Sequence, residues 1–149
     1  MAVAHGVFGS FALGLCLLAG ALGGWRWYRV ESSRAFWPLL RVAQGFLVVE
    51  AAWGGVLQAV GRSGGRLHVL YGVLPLLVMF LAEQLRVTSA QAVLGARDIG
   101  SAQEVGALPE LEQRSVVVAI VRREMGVMAL AALVCVALGL RAIGTSGWL

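Results

Sequence analysis

The chain has 149 residues, of which 59% are hydrophobic and only 13% are charged, and its mean hydropathy is +0.82. A soluble domain has roughly 45–50% apolar and about 25% charged residues, so this composition excludes a water-soluble domain and indicates one that lies in a bilayer. The net charge of +4 comes from arginine alone, since the chain has no lysine. These arginines lie at the ends of apolar runs, which is typical of membrane topology signals and argues against nucleic-acid binding.

Four apolar runs predict four transmembrane helices, at about residues 4–24, 36–60, 67–86 and 117–141. The first run lacks the basic start of a secretory signal, because no Arg or Lys precedes Arg26. Pro38 falls in the first turn of the second helix, where its missing N–H costs little, and Pro75 is expected to bend the third. We therefore predict a single all-α domain over residues 1–149, a bundle of four transmembrane helices.

One long polar segment separates the third and fourth runs. It covers about residues 87–116 and is predicted to be a loop with a short surface helix at 89–96. Near its end, Pro109 and Glu110 mark a helix start, since acidic residues in a first turn suit the helix dipole. The helical pattern then runs unbroken to about Arg141, roughly 50 Å at 1.5 Å per residue. The first turns of this helix are therefore expected to project from the membrane.

A short pattern, His-x-x-aromatic-Gly, occurs at residues 5–9 and again at residues 68–72, and it contains the only two histidines in the chain. A second pattern, Arg-x-x-x-Gly, begins at Arg41 and again at Arg122, each time next to the following apolar run. These echoes predict two related helical hairpins, each with a histidine at one end. Their first helices run in the same direction, as in parallel repeats.

The arginines also predict an orientation. Eight of them lie in the 25–34 connection or in the long polar segment and its adjoining helix ends, whereas three, Arg62, Arg66 and Arg141, lie on the opposite side. Because positive charge stays on the cytoplasmic side, we expect both termini and the turn at 61–66 to be outside. The predicted location is the inner (cytoplasmic) membrane of a bacterium, with both histidines at the same depth near the outer face.

The two histidines suggest a cofactor. If they face each other at one depth, His5 and His68 provide two imidazole nitrogens for the opposite faces of one haem iron, and helix bundles commonly hold cofactors in this way. Gly9 and Gly72 leave room where a flat porphyrin passes a helix. The alternatives are another metal ion, or two histidines that only cap their helices at headgroup level.

Two arginines lie beside the predicted site. Arg62 and Arg66 belong to the turn before the third helix and are expected to meet the haem propionates. In architecture, the layout resembles four-helix b-type membrane cytochromes. A di-haem cytochrome of that kind needs four histidines, whereas this chain has two, so the resemblance implies at most one bis-histidine haem b.

Glu50 is the other residue that suggests function. It lies about ten residues from the outer end of the second predicted helix, roughly 15 Å deep, where a carboxyl group is expensive. It is a candidate proton or quinone site, and the alternative is a structural hydrogen bond to a neighbouring helix. Cys16 and Cys135 fall within apolar runs and are expected to act as small hydrophobic residues.

The chain shows neither a Walker motif nor a nucleophile–base set, which favours a subunit over an independent enzyme. The leading hypothesis is a haem b-binding membrane subunit for electron transfer, with other membrane subunits of a respiratory or redox complex and quinone as partners. The alternatives are a cofactor-free structural or assembly subunit, and a small transporter in which Glu50 binds the proton.

Overall fold

The computed structural model describes residues 2–62 and 64–145, and all regular secondary structure in these ranges is helical. The helices are α1 Ala2–Arg29, α2 Phe36–Ala59, α3 Arg66–Gly95, α4 Ala102–Ala107 and α5 Glu110–Gly144. Four of them, α1, α2, α3 and α5, are long and apolar enough to cross a membrane. At this level, the prediction of an all-α chain with four transmembrane helices is confirmed.

Two helices extend beyond their apolar runs. α1 continues through its aromatic and basic residues to Arg29, and α3 continues to Gly95. The surface helix predicted at 89–96 is therefore the last part of α3 rather than a separate element. The polar residues there do not end α3, because a hydroxyl can bond back within its own helix, as Ser89 Oγ does to the Leu85 carbonyl at 2.7 Å.

The segment predicted as a loop at 87–116 is irregular only between α3 and α5, and it contains the short helix α4. Ser101 precedes α4 and its hydroxyl accepts a hydrogen bond from the Glu104 amide at 3.3 Å, which is a normal N-terminal cap. α5 begins at Glu110, where the sequence indicates a helix start, and is 35 residues long.

The four long helices form a ring in the order α2, α1, α5, α3. α5 packs most extensively, against both α3 and α1, and α1 also packs against α2. α2 and α3 touch each other much less, and a groove of about 320 Å³ lies between them, with Leu47, Met79 and Phe80 among its lining residues. Neighbouring helices run antiparallel, so α1 and α3 begin at the same end of the bundle.

The two ends of the bundle differ. We call the end at which α1 and α3 begin the histidine end, and the end with the α1–α2 and α3–α5 connections the loop end. The largest fully buried side chains are Phe36, Leu40, Met125, Met128, Val116, Cys16 and Cys135. Small residues allow close approach here: a Cβ on Gly126 would lie 2.7 Å from Trp27 Nε1. The core is therefore densest from the middle of the bundle to the loop end.

An ion-pair network joins α2 and α3 at the loop end. Arg41 on α2 pairs with Glu83 on α3, and Gln44 donates to the same carboxylate at 3.0 Å. Arg86 Nε lies 3.1 Å from the other Glu83 oxygen, and its guanidinium lies 5.4 Å from the Trp37 ring centroid. These polar contacts connect the two neighbouring helices that touch each other least.

The two-hairpin repeat and the outward orientation of the termini stay predictions. Corresponding residues of the two halves have different neighbours. A Cβ on Gly9 would lie 2.7 Å from a Glu50 oxygen, whereas a Cβ on Gly72 would meet nothing within 4 Å. Likewise, Arg41 pairs with a carboxylate, whereas Arg122 lies over a tryptophan ring.

Candidate histidine site

The bundle brings the only two histidines together. His5 lies near the start of α1 and His68 near the start of α3, and both side chains are partly buried. Their ring centroids are 6.0 Å apart and their planes are 75° apart. The two rings therefore lie close together at the histidine end with nearly perpendicular planes, although their helices are far apart in sequence.

His5 lies beside the carboxyl group of Glu50 on α2. Its Nδ1 is 2.8 Å from Glu50 Oε1, and the two side chains are only 18% and 17% exposed. Within the described residues, neither His5 Nδ1 nor Glu50 Oε2 makes a hydrogen bond of good geometry. The two groups are thus in contact without a well-aligned hydrogen bond, and an ionised Glu50 would favour the tautomer of His5 that has its proton on Nδ1.

Two glycines make this contact possible. A Cβ on Gly9 of α1 would lie 2.7 Å from Glu50 Oε1, and a Cβ on Gly54 of α2 would lie 3.3 Å from His5 Cε1. Each helix thus presents a glycine to the polar side chain of the other. This reciprocal arrangement lets α1 and α2 approach closely and places a carboxyl group and an imidazole inside the hairpin.

His68 contacts the end of α5. Its Nδ1 is 2.9 Å from the backbone carbonyl oxygen of Ala142, in the last turn of α5, where the Thr145 amide also donates to that oxygen at 3.1 Å. A carbonyl only accepts hydrogen bonds, so Nδ1 bears the proton and the Nε2 of neutral His68 has a free lone pair. The hydroxyl of Thr145 donates to the same carbonyl at 3.0 Å.

Three other predicted site residues lie apart from this cluster. Gly72 is exposed, and a Cβ there would face open space, so it is not needed for helix packing. Arg62 lies in the turn before α3 and Arg66 is the first residue of α3; both are exposed, and within the described residues their guanidinium groups make neither ion pairs nor hydrogen bonds. Of the residues predicted from sequence, the structure thus groups His5, His68, Glu50 and Gly9.

The sequence gives no sign of two contacts at this end. The Ala142 carbonyl is a backbone group, and its residue type does not predict that a histidine will contact this helix terminus. Arg141 lies over the Tyr71 ring at 5.9 Å, which joins α5 to the first turns of α3. For the second contact, the repeated pattern offered a signal, because Tyr71 follows His68 by three residues and therefore lies on the same face of α3.

The histidine end is loosely packed. Among the described residues of its outermost turns, 3–11, 48–59, 66–74 and 136–144, only Leu57 and Ala142 are buried hydrophobics. The Phe8 ring lies against Trp53 at 5.6 Å yet is still 39% exposed. The two histidines and Glu50 therefore lie in a region where few apolar side chains fill the interior.

Two imidazoles and a carboxyl group can bind a metal-containing group or pass protons. No group of three or more His, Cys, Asp or Glu side chains that could hold a metal ion occurs in the described residues. The chain matches no protein-family model, no curated protein and no solved structure. The chemistry open to this site follows from its own residues.

Proposed function

We propose that the chain is a haem b-binding membrane subunit for electron transfer, in which His5 and His68 are the axial ligands of one haem. The supporting observation is the distance of 6.0 Å between their ring centroids. Two imidazoles that share one metal through bonds of about 2 Å have centroids roughly 6 Å apart. The observed spacing is thus close to the one that shared ligation requires.

The surroundings of each ring suit a ligand. A metal-binding histidine almost always directs its other ring nitrogen at a carboxylate or a backbone carbonyl, which fixes the tautomer and orients the ring. The Nδ1 of His5 faces Glu50, and the Nδ1 of His68 faces the Ala142 carbonyl. Both Nε2 atoms are therefore free to donate a lone pair.

The ligand count favours haem over a bare metal ion. A metal ion held by protein side chains alone usually takes three or four ligands, and the described residues offer no such group. A porphyrin provides four nitrogens of its own, so it needs only the two axial ligands that His5 and His68 supply.

The described residues of the outermost turns at the histidine end bury few apolar side chains, which favours this end for a large flat group. α2 and α3 are the neighbouring helices that touch least, and Gly72, one turn after His68, faces open space. Arg62 follows α2 and Arg66 begins α3; both are exposed, and we propose that they meet the propionates. A porphyrin that enters between α2 and α3 fits these features.

Bound haem supplies one-electron redox chemistry, and the chain positions it. His5 and His68 would hold the haem between α1 and α3, and Glu50 would orient His5 and strengthen it as an electron donor. The same carboxyl group is a candidate proton or quinone site, because it lies inside a membrane-spanning helix. We propose that electrons pass to and from other membrane subunits of a respiratory or redox complex.

The orientation is part of the proposal. The excess of arginine around the loop end predicts that this end is cytoplasmic and that both termini and the histidine end face outward, in the inner membrane of a bacterium. Reporter fusions test it. A reporter fused within the 96–101 connection should be active on the cytoplasmic side, and one fused after Thr145 should be active outside; the reverse pattern contradicts the orientation.

An absorption spectrum of the protein, purified after expression with added haem, tests the function. We expect one haem per chain, a sharp Soret band and resolved α and β bands after reduction. His5→Ala and His68→Ala should each abolish the low-spin spectrum, and Ser10→Ala, an exposed neighbour on α1, should not. A colourless protein, or an unchanged spectrum in either histidine variant, contradicts the proposal.

A cofactor-free structural or assembly subunit is the second candidate. The observation that favours it is that each histidine also links two helices, His5 joining α1 to α2 and His68 joining α3 to α5. In that case, the histidine variants lower thermal stability while the wild-type protein stays colourless when haem is supplied. The same purification therefore distinguishes the two functions.

A further inference from the structure

A cleft of about 430 Å³ lies at the loop end, at the opposite end of the bundle from the histidines. It is formed by the end of α1, the connection that follows it and one face of α5. Its positive residues are Arg26, Arg114 and Arg122, and its aliphatic residues are Val30, Val118 and Val121. The cleft thus combines positive charge with apolar walls.

The positive charge is not balanced within the cleft. Glu31 is its one acidic lining residue, and this carboxylate pairs with Arg26 and lies 3.7 Å from Arg29. Arg114 and Arg122 have no carboxylate partner within 4 Å among the described residues, and the Arg122 guanidinium lies 5.5 Å from the centre of the Trp27 ring. Two arginines are therefore available to an anion.

The position of the cleft along α1 fits the headgroup layer of a bilayer. The same turns of α1 expose Trp25 by 60% and Tyr28 by 73%, and such aromatic residues mark the interface of transmembrane helices. Val118 and Val121 continue along α5 toward the apolar part of the bundle. A ligand held here would have its charge at headgroup level and its apolar part against the helices.

The backbone at this site is strained. Val30 has a φ of 56°, which is rare for a β-branched residue. It ends α1 in a Schellman motif, with the Val30 amide donating to the Trp27 carbonyl at 3.2 Å and the Glu31 amide donating to the Arg26 carbonyl at 3.0 Å. Glycine is usual at this position of a Schellman motif, so Val30 adopts this φ at a conformational cost.

We propose that this cleft binds the headgroup of an anionic phospholipid, with its phosphate at Arg114 and Arg122 and its acyl chains along α1 and α5. Basic pockets between transmembrane helices bind such headgroups, and arginine suits phosphate because its donors form a planar fork. The site does not depend on the haem proposal, since it lies at the other end of the bundle and shares none of its residues.

Lipid binding to the delipidated full chain in neutral detergent tests the proposal. Native mass spectrometry would compare phosphatidylglycerol with phosphatidylcholine of the same acyl chains. We expect preferential retention of phosphatidylglycerol, and Arg114→Gln should weaken that preference about five-fold, since each arginine near an anionic surface contributes about 1 kcal/mol. Arg122→Gln should act similarly, and Arg141→Gln at the histidine end is the matched control, which removes the same charge and should leave the lipid preference unchanged.

Thermal denaturation in the same detergent is a second test of selective lipid binding. Phosphatidylglycerol should raise the melting temperature of the wild type more than phosphatidylcholine does, and Arg114→Gln should reduce the difference. Arg114 is exposed and unpaired within the described residues, so this variant is expected to fold normally. Equal effects of the two lipids, an unchanged preference in Arg114→Gln, or full displacement of the lipid by the same concentration of inorganic phosphate would overturn the proposal.

Discussion

The loop end and the histidine end of the bundle are built differently. At the loop end, large side chains such as Phe36, Met125 and Val116 are fully buried, and an ion-pair network around Glu83 joins α2 to α3. At the histidine end, the buried hydrophobics of the outermost turns are Leu57 and Ala142, and the interior holds two imidazoles and a carboxyl group.

This difference shows how one bundle can have a closely packed end and an end that holds polar groups. Close packing at one end fixes the relative positions of the helices, because packed interiors resist small displacements. The other end can then hold polar groups in a defined arrangement without filling the space between them. A ligand-binding role for the histidine end and a structural role for the core predict different responses to substitution.

The largest expected effect on stability is at the packed core. Phe36→Ala should lower the free energy of unfolding by about 3–5 kcal/mol, because this ring is fully buried and its removal leaves a cavity between α1 and α2. Phe8→Ala is the matched control at the histidine end, where the ring is 39% exposed, and it should cost less than about 1 kcal/mol. Thermal denaturation in detergent measures both losses of stability. Equal losses would contradict the difference in packing between the two ends.

Glu50 should contribute to stability at the histidine end through its contact with His5. Glu50→Leu should cost about 1 kcal/mol, because it removes the carboxyl group that lies 2.8 Å from His5 Nδ1. Glu50→Gln keeps the shape and an acceptor oxygen and should cost much less. If the proposed haem binds, both variants should still form the low-spin species, since neither removes a proposed axial ligand. If Leu and Gln have the same effect on the melting temperature, the His5–Glu50 contact is not stabilising.

The two glycines of the repeated pattern should respond differently to alanine. Gly9→Ala should cost about 1 kcal/mol through overpacking, because the new Cβ would meet the Glu50 carboxyl group at 2.7 Å and displace it from His5. Gly72→Ala has open space and should be neutral or stabilising, since alanine favours helix. A destabilising Gly72→Ala in the haem-free protein would show that this face is packed after all.

The smallest expected effect is at the end of α1. Val30→Gly should raise stability by about 1 kcal/mol, because glycine adopts a φ of 56° without the steric cost that valine has there. Gly61→Ala is the matched opposite, since Gly61 ends α2 with a φ of 76°, and it should lower the melting temperature. Unchanged stability in Val30→Gly would show that this turn is not strained.

The sequence predicted the helices well and the site in part. Apolar runs specify four spans because a helix in a bilayer must be apolar over most of its length, and the start of α5 follows from its proline and acidic first turn. The end of α3 was harder to predict, because Ser89 bonds within its own helix and polarity alone did not show where the helix ends.

The pairing of His5 with His68 followed from their equal depth, whereas the partners of their rings did not. Glu50 was singled out by its depth, but only the three-dimensional packing shows that it reaches His5 rather than another helix. The Ala142 carbonyl is a backbone group with no residue signature. The repeated pattern also suggested equivalent roles for Gly9 and Gly72, yet their neighbours differ because α1 packs closely on α2 and only α2 offers a carboxyl group there.

Electron paramagnetic resonance of the ferric protein is the most direct test of haem ligation by His5 and His68, because it reports the axial ligands of the iron and the angle between their planes. Two imidazole planes at 75° predict a highly anisotropic low-spin signal, of the kind given by nearly perpendicular axial ligands. His5→Ala and His68→Ala should each convert it to a high-spin signal. A wild-type protein that shows only high-spin iron, or that takes up no haem at all, would contradict bis-histidine ligation.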